Sequence, residues 1–157
     1  MSYEGVCRTN FFTNLLLNLP FTAEADRLLN EWSKRSNEPL PVTRLLHHEL
    51  VNAFQRLVYE SKNGSPGYTV TAGTARAAEA SFELEIQQGQ QLSTREPDSR
   101  LLDDLYYDLV HRHTAKHGFR TNDVLHVASA LILGCDTFWS FDTKARKLAE
   151  LEGLKVN

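Results

Sequence analysis

Three acidic side chains, Glu49, Asp123 and Asp142, stand where a purely structural acid is not the simplest choice. Glu49 lies four residues from both Leu45 and Ala53, on the apolar face of one helix pattern. A carboxylate on such a stripe is paired, bound to a metal, placed at the mouth of a cleft, or a rim residue whose head reaches water. Asp123 falls in the first turn of a helix opened by Thr121-Asn122, where the helix dipole alone favours an acid. Asp142 follows an aromatic strand pattern and begins a helix, a place that suits an N-cap. Brought together, three carboxylates repel one another and raise one another's proton affinity. A hard divalent cation, Mg²⁺ or Mn²⁺, relieves that cost and takes oxygen ligands. Such an ion orients water and offsets charge during in-line attack on a phosphodiester.

The elements that must position these acids are mostly helical. Apolar residues recur with a 3.6-residue rhythm at Leu45, Leu46, Leu50, Ala53, Phe54, Leu57 and Val58, and again from Leu101 to Val110. A third helix runs from Thr121 and ends at Gly134; a short last one runs from Thr143 to Glu152 and is closed by Gly153. Strand patterns are short: Gly5-Val6-Cys7, Leu40 to Thr43, Asp136 to Phe141, and Lys155-Val156. The turn formers from Ser61 to Gly67 read as a loop within one domain. Short strands alternating with helices predict a parallel sheet with helices on both faces, whose working groups gather at the carboxyl ends of the strands.

Composition bounds the remaining classes. The 157 residues make one domain's worth of chain, read as a single domain over 1–157. Seventeen Lys and Arg against 20 Asp and Glu give a net charge of −3, so a bound nucleic acid needs a local basic patch. Two cysteines, Cys7 and Cys135, make no disulfide framework and suit a reducing compartment. No apolar run approaches bilayer length and no export signal is evident, so a cytoplasmic protein without membrane contact is expected.

At this point the residues resemble the PIN-domain family. The stretch Arg120-Thr121-Asn122-Asp123-Val124-Leu125-His126-Val127-Ala128-Ser129-Ala130 is similar to that family's R-T-x-D-x-L-H-x-A-x-A segment. Phe138 to Lys144 is similar to its T/S-F-D strand end, and Pro41 to Ala53 to its strand-then-helix segment with an acid at Glu49. The resemblance implies a three-layer α/β/α sandwich with a central parallel sheet. It implies a Mg²⁺- or Mn²⁺-dependent endoribonuclease, most often the VapC-type toxin of a toxin–antitoxin pair. The partners it implies are an RNA substrate, a cognate antitoxin and a second copy of the chain. By residue, it maps Glu49, Asp123 and Asp142 onto metal-binding acids and Ser140 onto the small hydroxyl residue that supports them.

One position departs from that pattern. The family opens on a strand ending in D-T-S/N, and here Val6-Cys7-Arg8-Thr9-Asn10 places Arg8 where the aspartate belongs. A guanidinium ligates no cation and keeps its proton. The expectation is that Arg8 pairs with the remaining acids in place of a metal ion, which makes a catalytically silent binding module the alternative to an enzyme.

The most basic segment runs from His111 to Arg120. Arg112, Lys116 and Arg120 either hold RNA phosphates beside Asp123 or form a solvated helix end suited to the dipole. His113 and His117 have the spacing of a zinc pair but no third ligand, so zinc is not expected. His126, three residues after Asp123, is read as structural before general base. Phe11, Phe12, Phe138, Trp139 and Phe141 are expected in the core. Leu15, Leu16, Leu17 and Leu19, with the face from Ala25 to Trp32, are core by default and a dimer or antitoxin surface otherwise.

Overall fold

The structure, a computed structural model, describes residues 5–7, 9–64 and 67–157. Arg8, the departing position, lies outside the described residues. The order of elements is β1 (Val6–Cys7), α1 (Thr9–Leu16), α2 (Thr22–Ser33), β2 (Leu40–Val42), α3 (Arg44–Lys62), α4 (Ala72–Gln88) and β3 (Leu92–Thr94). There follow α5 (Ser99–Leu109), a π-helical turn (Val110–Thr114), α6 (Ala115–His117), α7 (Thr121–Ile132), β4 (Thr137–Trp139), α8 (Thr143–Leu151) and β5 (Lys155–Val156).

Among the described residues every strand pairing is parallel. β4 is central to one ladder, matched by β1 through Val6 and Phe138 and by β5 through Phe138 and Val156. β2 and β3 form a second ladder, from Leu40 beside Leu92 to Val42 beside Thr94. β2 lies against β1. The Leu40 amide and the Val42 carbonyl both bond toward the β3 side. Successive residues alternate direction, so Pro41 faces β1, where it has no N–H to give.

The core shows why this is a sandwich. Phe138 and Trp139, neighbours on β4, point to opposite faces and enter different clusters. Trp139 joins Phe11, Leu50, Phe54 and Phe82 beneath α1 to α4. Phe138 joins Leu109, Val127 and Leu148 beneath α5, α7 and α8. The expected core aromatics Phe11, Phe12, Phe138 and Trp139 are buried, and Phe141 is partly so. On α1 and α2 the default reading also holds for Leu17, Ala25, Leu28 and Trp32, while Leu15, Leu16 and Leu29 line a small apolar groove.

Local signals explain most boundaries. Thr43 caps α3 by accepting the Leu46 amide at 3.2 Å, and Asp98 caps α5. Gly134 and Gly153 sit at φ 72° and 83°, and the residues after them bond back to Ala130 and Ala149, closing α7 and α8 as the glycines predict. Two boundaries differ from expectation. α3 continues through Ser61 and Lys62 before turning at Asn63. The last aromatic strand stops at Trp139 because the Ser140 and Phe141 amides bond to the Asn157 and Asn10 side chains instead of a strand. Among the described residues no helix is long and apolar enough to cross a membrane.

Candidate active site

The site forms beyond the carboxyl ends of β1, β2 and β4, where each strand turns into a helix. The opening of α1 brings Thr9 and Asn10, the second turn of α3 brings Glu49, the start of α7 brings Asn122 and Asp123, and the turn into α8 brings Asp142. Glu49, Asn122 and Asp142 line an open cleft of about 450 Å³ with Thr9 and Asn10. The cleft continues along α3 past Asn52 to Arg56 and Glu60. A second cleft, of about 360 Å³, is lined by Arg120, Asp123, Phe141, Asp142, Thr143 and Lys144. Asp142 is the wall the two share.

Each acid is held differently. The Glu49 carboxylate is four-fifths buried and, among the described residues, receives the side chains of Thr9, Asn122 and His126. Thr9 Oγ1 donates to Oε2 at 2.8 Å, His126 Nε2 meets the same oxygen, and Asn122 Nδ2 donates to Oε1. Asp123 is 2% exposed, and its Oδ2 accepts the Arg120 amide at 3.1 Å across the first turn of α7. Asp142 Oδ1 accepts the Lys144 and Ala145 amides at 2.8 and 3.1 Å, the N-cap its position predicts. Ser140 is fully buried; its hydroxyl accepts the Asp142 amide at 3.0 Å. The same hydroxyl lies 3.4 Å from Asn10 Oδ1, which takes the Phe141 amide at 3.1 Å. The corner that carries Asp142 is thus pinned by its own buried Ser140 hydroxyl and by the half-buried Asn10 of α1.

Asp142 thus lines one cleft with Glu49 and the other with Asp123. Among the described residues no group of three or more His, Cys, Asp or Glu side chains is placed to hold a metal ion. The oxygens are of the kind Mg²⁺ or Mn²⁺ prefers, but Glu49 Oε2 already accepts from Thr9 and His126, and Asp142 Oδ1 from two amides. Such donors fit an ion that keeps much of its water shell or completes it with phosphate oxygens, as Mg²⁺ does, and not one needing an all-protein cage.

The basic segment divides. Arg112 pairs with Asp108 and with Glu152, whose carboxyl is held below its ordinary range first by the Arg112 guanidinium and then by His113. Its charge is spent on joining the π-helical turn to the end of α8. Lys116 is exposed on α6 and lines neither cleft. Arg120 does line the second cleft. His113 is bonded to Glu152, and His117 stacks on Phe119 at 5.4 Å. His126 is 2% exposed and serves Glu49 as a buried partner. Asn122 and Lys144 were not singled out from sequence. Each sits beside an acid that was, and Lys144 is turned toward the cleft region by donating from Nζ to the Gly118 carbonyl at 3.1 Å.

No protein-family model and no curated protein sequence matches the chain. Solved structures share its fold at low identity. VapC20 of Mycobacterium tuberculosis, described as a toxin cleaving the sarcin–ricin loop, is 15% identical over 92% of this chain and 94% of its own, with a TM-score of 0.62. VapBC-1 of nontypeable Haemophilus influenzae is 16% identical over 99% and 97%, also with a TM-score of 0.62. FitAcB of Neisseria gonorrhoeae is 16% identical over 98% and 96%, with a TM-score of 0.60. The chain has the α/β fold of the PIN type that these solved structures share.

Proposed function

We propose that this chain is the toxin-like half of a toxin–antitoxin pair, acting in the cytoplasm on RNA phosphodiesters with a Mg²⁺ or Mn²⁺ ion at Glu49, Asp123 and Asp142. The observation that carries the reading is the placement of Asp142 between two clefts, with Glu49 on one side and Asp123 on the other, at the working end of a PIN-type sheet. An ion held by these carboxylates would lower the pKa of a bound water and offset charge developing on the phosphorus oxygens. The chain's own residues supply the rest. Thr9, Asn122 and His126 fix the Glu49 carboxylate, and Ser140 and Asn10 fix the Asp142 corner. Arg120 and Lys144 are the cations that phosphates meet in the second cleft. An antitoxin and a second copy of the chain are the protein partners this reading carries.

A second reading, a silent PIN-fold module that binds RNA or an antitoxin without cleaving, is favoured by Arg8 at the position the family fills with aspartate. Labelled RNA incubated with Mn²⁺ tests both. Cleavage by the unchanged chain, lost in Asp142→Asn, supports the enzyme. Cleavage that appears only in Arg8→Asp supports the silent module. Absence of cleavage in both rejects a hydrolytic site.

A further inference from the structure

Phe21 is half exposed, at 51%, while Phe11 and Phe12 of the preceding helix α1 are buried. It is nonetheless fixed. Its amide donates to Asn14 Oδ1 at 2.9 Å, and the hydroxyl of Thr22 next to it shares its one proton between the Asn14 and Leu17 carbonyls at 2.6 and 2.7 Å. One face of the ring lies on Phe141, with centroids 4.7 Å apart and planes 11° from parallel. Phe141 in turn stacks on Phe11 at 6.3 Å and 18°. Three rings thus form a column from the core to the surface, and the outermost one exposes its remaining area to water.

The middle ring of the column, Phe141, borders the second cleft, and Phe21 is one ring removed from it. Phe141 lines that cleft together with Arg120, Lys144, Asp123 and Asp142. An exposed flat ring stacked on the wall of a cleft that holds two cations matches a nucleotide, which carries a π-face and a phosphate a few ångströms apart. We propose that the Phe21–Phe141 stack is a platform for one base of a single-stranded RNA whose backbone passes Arg120 and Lys144. This rests on the RNA reading above and adds to it a subsite that requires an unpaired base.

Fluorescence anisotropy in EDTA, which keeps the strand whole, tests the platform. The probes are a labelled single-stranded oligoribonucleotide of roughly ten nucleotides, within the usual span of single-strand sites, and an abasic strand of the same length. Phe21→Leu, which keeps an apolar side chain but no flat face, is expected to weaken binding of the base-bearing strand by about tenfold and to leave the abasic strand unchanged. Phe21→Trp is expected to retain the wild-type difference. Equal loss on both strands, or no loss on either, overturns the platform. Equal binding of both strands by the wild type overturns the platform alone, and binding of neither removes the RNA reading and the platform with it. A change in oligomeric state in Phe21→Leu with RNA affinity intact assigns the ring to a contact between chains and likewise overturns it.

Discussion

At the scale of single residues, the site is a set of carboxylates, each held by hydrogen bonds from its surroundings. Glu49 depends on His126, which is almost wholly buried. Removing the imidazole leaves a mostly buried carboxylate short of a donor, so His126→Ala should lower stability by about 1–3 kcal/mol in thermal unfolding, with His126→Gln recovering part of it. Glu152 makes a separate prediction. Its folded-state carboxyl is depressed by Arg112 and His113, so its stabilisation is present above the ordinary glutamate range and is lost as pH falls through the folded value. Glu152→Gln should therefore destabilise the chain at pH 7 by about 1 kcal/mol, allowing for screening of the half-exposed Arg112. The difference from wild type should shrink as the melts move to lower pH below about 4. Burial pushes the Cys135 thiol up to about 12. In a Cys7→Ser background it should therefore resist a thiol reagent at pH 8 until the chain unfolds.

Among elements, much was legible because local chemistry marks them. The helices carrying Glu49 and Asp123 announce themselves by periodicity and caps, and Gly134 and Gly153 end theirs as their φ values require. β3 left no such trace: three residues, Leu92 to Thr94, gain strand character from pairing with β2, and nothing local shows it. The end of β4 was also hidden, since it is set by Asn10 and Asn157, distant in sequence. Phe138 is the strand residue on which α5, α7 and α8 converge, so Phe138→Ala should cost about 3–5 kcal/mol in denaturant unfolding. The turn before α7 holds Gly118 at φ 66°, with the Lys144 ammonium 3.5 Å from where a Cβ would sit. Gly118→Ala should cost about 1 kcal/mol or more.

For the molecule as a whole, the sequence offers three candidate acids, and only the structure shows the two clefts they line. Spacing along a chain says which residues share a helix face, not that Asp142 would stand between Glu49 and Asp123. Nor does it show that Arg112 is spent on Glu152 and Asp108, which removes a cation from the basic segment. With net charge −3 and Arg120 and Lys144 as the cations of the second cleft, RNA affinity should depend only mildly on salt. Two phosphate contacts give a log–log slope of about −1.4 for single strands, which Lys144→Ala should reduce by about 0.7 and Arg112→Ala should leave unchanged.

The central claim is that Asp142 and its neighbouring carboxylates form a hydrolytic site for RNA. The most direct measurement is Mn²⁺-dependent cleavage of a labelled RNA by Arg8→Asp and by the double variant Arg8→Asp, Asp142→Asn. Cleavage by the first, abolished in the second, is the predicted result. Intact RNA with both, from proteins that melt as folded chains, would contradict it.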